Sequence, residues 1–108
     1  MPKVSINVSD VVLIDDDVLV QMTWKIAAKR AGVTLRVFTA PSEFWLAIDQ
    51  IGFDASIFVD LHLGGQSGEE VIHELYRRGY RDLWMASGDD SGFLGLPIRG
   101  VVGKTPPF

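Results

Sequence analysis

Four short apolar runs alternate with segments of helical spacing, and a fifth closes the chain. This ordering restricts the 108 residues to very few folds. VVLI (Val11–Ile14) is continuously apolar, as a strand covered on both faces must be. VLVQMTWKIAAKRA (18–31) has helical spacing and stops at Gly32, a suitable C-cap. TLRVFTA (34–40) reads as a second strand, and Ser42, after Pro41, is expected to cap a helix reaching about Gln50. ASIFVDL (55–61) is a third, followed by a glycine-rich loop, LGGQSG, and a helix, EEVIHELYRR (69–78), that ends at Gly79. DLWMAS (82–87), the loop GDDSG and a short strand around IRGVVG (98–103) complete the pattern. Strands alternating with helices predict a parallel sheet with helices on its faces, and right-handed crossovers leave few topologies. Residues 1–10 are a polar lead-in, in which Val4, Ile6 and Val8 alternate; residues 11–108 form the single domain.

Composition closes off several function classes. An apolar fraction of 47% with 22% charged residues argues against disorder, and the net charge of −4 argues against a nucleic-acid surface. No apolar run approaches a membrane span, no signal-peptide pattern opens the chain, and without cysteine neither a disulfide framework nor a thiolate metal site is available. A cytoplasmic location is the expectation.

The acids stand at strand ends. In open α/β sheets, ligands bind beyond the carboxyl ends of the strands. The first strand ends in Asp15-Asp16, the third in Asp60, the fourth in Ser87-Gly88 and the last near Lys104. Two unit charges about 4 Å apart repel by roughly 4 kcal/mol at an effective dielectric near 20. A hard divalent cation such as Mg²⁺ offsets that repulsion among carboxylates. A lysine and a hydroxyl opposite them suit an anion, with a phosphoryl group the natural candidate. Asp17 directly follows the pair and is assigned to the helix start. His62 is not expected to ligate Mg²⁺ through imidazole and is placed on the approach to Asp60; Asp89 is either a plain loop acid of GDDSG or a second residue bordering that approach, where it would orient a hydrolytic water. His73 and the three tryptophans are assigned to helix surface and core packing. In the first helix, Val20, Trp24, Ala27 and Ala31 form one stripe for the sheet, and Leu19, Met22 and Ile26 form a second, turned away from it.

Over residues 10–106 the chain resembles the receiver domain of two-component response regulators, through IDDD (14–17), VDLHLGGQSG (59–68), ASG (86–88) and GK (103–104). The resemblance implies a flavodoxin-like three-layer sandwich with a five-stranded parallel sheet of order 2-1-3-4-5. It implies Asp60 as phosphoacceptor, taking phosphoryl from the phosphohistidine of a histidine kinase or phosphotransfer protein. Asp16 and Asp60, with the backbone carbonyl of His62, would hold Mg²⁺, and Asp15 would act through metal-bound water. Ser87, the amide of Gly88, and Lys104 would bind the phosphoryl group. Such a domain is not an enzyme, but assists its own phosphorylation and dephosphorylation. The alternative is a receiver that has lost phosphorylation and acts as a protein-interaction module. A metal-dependent phosphatase fits less well, because Asp60-Leu61-His62 lacks a second acid two residues after the first.

Three departures from the receiver pattern shape further expectations. DDSGFLGLPIRG replaces the usual fourth helix with poor helix material and predicts a loop or single turn, with Phe93, Leu94 and Leu96 folded down. The sequence ends at Phe108 without the usual final helix, so apolar sheet surface must be met by loops or by another chain. A homodimer through the first helix and last strand is the corresponding expectation. Val101 stands where receivers commonly place an aromatic, and Gly64 where proline is common.

Overall fold

The computed structural model describes residues 10–63, 65–88 and 95–108. Its elements are β1 (Val11–Ile14), α1 (Val18–Ala31), β2 (Leu35–Phe38), α2 (Pro41–Ala47) with a 3₁₀ turn (Ile48–Gln50), β3 (Ser56–Asp60), β4 (His62–Leu63), β5 (Gln66–Ser67), α3 (Gly68–Arg78), β6 (Leu83–Ala86) and β7 (Gly100–Val102). Five strands form one parallel sheet in the order β2-β1-β3-β6-β7. With the small β4–β5 hairpin left out of the count, this is the expected order 2-1-3-4-5.

The strands divide their side chains between two cores, as a period of two requires. Val12 and Ile14, Ile57 and Val59, and Leu83 and Met85 face one side, where they meet Phe44 of α2 and Val71, Ile72 and Leu75 of α3. Leu13, Phe58 and Ala86 face the other side, where Trp24 of α1 packs on them. Three layers result, with one helix on one face and two on the other.

The helix ends follow from local chemistry. The Asp17 side chain accepts from Leu19 N at 2.9 Å and Val20 N at 3.3 Å, so the third acid of the triplet is the N-cap of α1. α1 stops at Gly32, whose φ of 71° is left-handed backbone that a side chain would strain. α3 opens on a capping box in which Ser67 Oγ accepts from Glu70 N and Glu70 Oε1 accepts from Ser67 N.

Several sequence expectations are corrected. Ser42 does not cap α2: Pro41 occupies the first turn, Ala40 is the N-cap, and no side chain bonds to that cap. The segment LGGQSG contains the β4–β5 hairpin, with His62 opposite Ser67 and Leu63 opposite Gln66, and Gly65 has a left-handed φ of 85° between the two strands. In α1, Ala31 is exposed, and the buried line is Gln21, Trp24 and Ala28, with Val20 and Ala27 at its margin.

Three α-helices are present among the described residues. After position 94 the chain returns to the sheet without a helix, and Leu96 and Ile98 pack against the α2–α3 core. Phe93, Leu94, Asp89, Gly64 and the alternating residues Val4, Ile6 and Val8 lie outside the described residues. Val101 is half-buried against the same core as Leu96. On the α1 face, Phe108 stands edge-on to Trp24 at 5.7 Å between ring centroids, so the C-terminal residue covers part of the sheet beyond the helix.

Candidate functional site

Register brings the strand-end residues together. Ile14 pairs with Val59, Asp60 with Ala86, and Ala86 with Val102. The residues that follow, Asp15 after β1, Ser87 and Gly88 after β6, and Gly103-Lys104 after β7, therefore gather at one carboxyl edge with Asp60. Parallel pairing makes this automatic: every strand delivers its last residue to the same edge.

Lys104 ties the group together. Its Nζ donates to Asp15 Oδ2 at 2.9 Å and to Asp60 Oδ1 at 2.6 Å. Asp15 is fully buried, Asp60 and Ser87 nearly so, and Asp16 is exposed. Carboxylate oxygens of Asp15, Asp16 and Asp60 lie within 4.8 Å of one another. Burial pushes the Asp15 carboxyl up, against the hydrogen bonds from Lys104 and from Asp17 N, while the charge of Asp60 pushes it further. Burial acts to lower Lys104, but its hydrogen bonds to Asp15 and Asp60 outweigh this and hold the ammonium above its ordinary range.

Four supporting residues were not singled out for the site by sequence reasoning. Trp24 Nε1 donates to the Lys104 carbonyl at 2.9 Å, tying α1 to the segment that presents the lysine. Gln21 Nε2 donates to the Asp15 carbonyl at 2.6 Å and to Thr39 Oγ1 at 3.2 Å, which fixes the end of β1 between α1 and β2. Gly68 begins α3 so close to Asp60 that an added Cβ would stand 2.1 Å from the Asp60 carbonyl oxygen. Its own N–H donates to Leu61 O at 2.8 Å. Only a residue without a side chain fits there. A buried Gln within an apolar helical stripe was the available signal for Gln21; the contacts of Trp24, Thr39 and Gly68 depend on chain brought in by the fold.

The donor set suits Mg²⁺. Three carboxylates within 4.8 Å, two of them buried, face one lysine, so a further positive charge is favoured, and hard oxygen donors are what Mg²⁺ prefers. His62 follows Asp60 by two residues, with an exposed side chain in β4. Ser87 N donates to Val102 O at 2.8 Å, anchoring the end of β6 beside β7. At Gly88 an added Cβ would meet nothing within 4 Å among the described residues.

Fold and site together define a doubly wound parallel α/β domain with an acidic pocket at the carboxyl edge of its sheet. Its fold is that of CheY-like response regulator receiver domains. A receiver domain protein of this type from Methanospirillum hungatei JF-1 superposes with a TM-score of 0.78 at 16% identity, covering 91% of this chain and 82% of that one. Full-length FixJ from B. japonicum gives 0.73 at 18% identity over 93% of this chain and 51% of its own. A CheY-like receiver domain from Methylobacillus flagellatus gives 0.73 at 18% identity, over 94% and 89% of the two chains. No protein-family model and no curated protein sequence matches the chain.

Proposed function

We propose that this chain is a phosphoacceptor receiver that takes a phosphoryl group onto Asp60, with Mg²⁺, from the phosphohistidine of a histidine kinase or phosphotransfer protein. The observation that carries the reading is the Lys104 ammonium bonded at once to Asp15 and Asp60. That arrangement leaves a cation beside Asp60, where a phosphoryl group would arrive, and neutralises negative charge gathered there.

A carboxylate oxygen of Asp60 forms the new P–O bond as the P–N bond of phosphohistidine breaks, and the electron pair returns to the imidazole nitrogen. Asp15, Asp16 and Asp60, with the carbonyl of His62, are the residues that would hold Mg²⁺. Bound there, the ion supplies positive charge to the phosphoryl oxygens. Lys104 pairs with the product phosphoryl group, and the Ser87 hydroxyl and Gly88 amide donate to its oxygens. Gln21, Trp24 and Gly68 hold the backbone on which these groups sit, so the protein contributes positioning and charge neutralisation. The chain is a substrate of phosphotransfer that assists the reaction, rather than an enzyme turning over a separate substrate. No helix among the described residues is long and apolar enough to cross a membrane.

Incubation with Mg²⁺ and acetyl phosphate, followed by intact-mass spectrometry, tests the reading. The expected result is one phosphoryl increment, absent without Mg²⁺ and absent in Asp60→Asn. An increment that survives Asp60→Asn overturns it. No increment in the native chain leaves the interaction module as the better account.

A further inference from the structure

A cleft opens at the amino edge of the sheet, opposite the edge that carries the acidic pocket. It lies where the 3₁₀ turn and the loop to β3 meet the end of α3, and its volume is about 410 Å³. Small-molecule sites run from about 300 to 1,000 Å³, with apolar walls and a few placed polar groups. This cleft is lined by Ile48, Asp49, Ile51, Phe53, Arg78 and Tyr80.

The walls are held in place before any ligand arrives. Ile51 and Tyr80 are buried. Phe53 is 65% exposed, yet its ring tilts against that of Tyr80 at 4.9 Å between centroids. It also lies over Gly79, where an added Cβ would stand 3.2 Å from Phe53 Cε1. Arg78 is fixed from two sides: its Nε donates to Glu74 Oε2 at 2.7 Å, and its guanidinium carbon lies 4.8 Å from the centroid of the Trp45 ring. A guanidinium carries five N–H donors, so the bond to Glu74 leaves others for a ligand. Tyr80 Oη donates to Ile51 O at 2.8 Å, which turns its own lone pairs outward as acceptors. Burial pushes the Tyr80 hydroxyl up, Arg78 pulls it down and Asp49 pushes it up, so both charges bear on the same group.

We infer that this cleft binds a small zwitterion with an apolar body, a free α-amino acid with an aromatic side chain. Arg78 takes the carboxylate, Asp49 takes the ammonium, and Ile48, Ile51 and Phe53 cover the ring. Opposite charges on one cleft select such a ligand. A simple anion meets Asp49, a simple amine meets Arg78, and a neutral ring desolvates both charges without pairing either. The exposed face of Phe53 favours an aromatic ring over an aliphatic chain, because two rings gain from stacking beyond the area they bury. The inference is independent of whether Asp60 is phosphorylated.

Titration of the full chain with phenylalanine in a calorimeter is expected to show saturable binding, with a Kd of about 1 mM or tighter, the range open to a ligand of this size. Phenethylamine lacks the carboxylate and phenylpropionate lacks the ammonium, and each should bind about tenfold more weakly. Arg78→Gln should abolish the preference for phenylalanine over phenethylamine, and Asp49→Asn the preference over phenylpropionate, both with unchanged circular dichroism. A variant that only loosened the cleft would weaken all three ligands alike, so the crossed loss separates charge recognition from structure. Backbone amide shifts should centre on residues 48–53 and 78–80, and Asp60→Asn should bind as the native chain does. The inference is overturned by no saturation at about 10 mM, tenfold above that Kd. It is overturned equally by three ligands that bind alike, by variants that keep both preferences, or by shifts centred on the acidic edge.

Discussion

Asp15, Asp60 and Lys104 set one ammonium against two buried carboxylates, and the balance depends on pH. Burial raises Asp15 above its ordinary value of 3.8 despite the hydrogen bonds it receives. The folded chain therefore binds that proton more readily than the unfolded chain does. Its ionisation opposes folding above the folded-state value, and that penalty is relieved as pH falls through it. Lys104 is raised above 10.5, so its contribution is fully present below that value and is lost as pH rises through the folded-state one. A protonated Asp15 is a poor partner for Mg²⁺. Mg²⁺ held as proposed is expected to raise the melting temperature, and that rise is expected to fade on acidification at a pH above the usual Asp range, as a melting series with and without the ion will show. Asp15→Asn should remove this dependence and raise the melting temperature of the metal-free chain.

Helix ends connect this chemistry to the fold. Asp17→Ala removes the cap of α1 and is expected to lower stability by about 1 kcal/mol in a denaturant titration, while the phosphoryl uptake proposed for Asp60 is expected to persist in the acetyl phosphate assay. Asp16 differs from its neighbour in belonging to the carboxylate cluster. The division of the triplet between site and cap was legible from the sequence, because an acid just before a helical pattern has a local use. Gly32 and Gly79 were legible as helix stops for the same reason. Ser42 misled because the helix begins at Pro41, two residues earlier than a cap at Ser42 allows; a polar contact at that end is Thr39 N donating to Glu43 Oε1 at 3.1 Å. The Gly-Gly dipeptide between Leu63 and Gln66 in the sequence was a readable hairpin signal that the loop reading passed over. Trp24 was read correctly as core, but its bond to the Lys104 carbonyl spans 80 residues, and no local pattern encodes it.

The molecule is asymmetric about its sheet. Two helices and the 95–99 segment bury one face, whereas the other has α1 and the ring of Phe108. Sheet order and the gathering of Asp15, Asp60, Ser87 and Lys104 followed from the alternation of strands and helices, since parallel strands share one carboxyl edge. The docking of Phe108 did not, because it depends on shape complementarity with Trp24 that composition does not reveal. Phe108→Ala is expected to cost about 1–2 kcal/mol in thermal or denaturant unfolding, through lost packing on Trp24. Trp24 itself is fully buried, with its indole N–H bonded to the Lys104 carbonyl and its ring edge-on to Phe58 and Phe108. Trp45 and Trp84 are only half-buried. The chain consequently contains its own optical gauge: with Trp45 and Trp84 replaced by Phe, ultraviolet emission comes from a single indole wired to the backbone of Lys104, so events at the acidic pocket can be followed in real time without a dye.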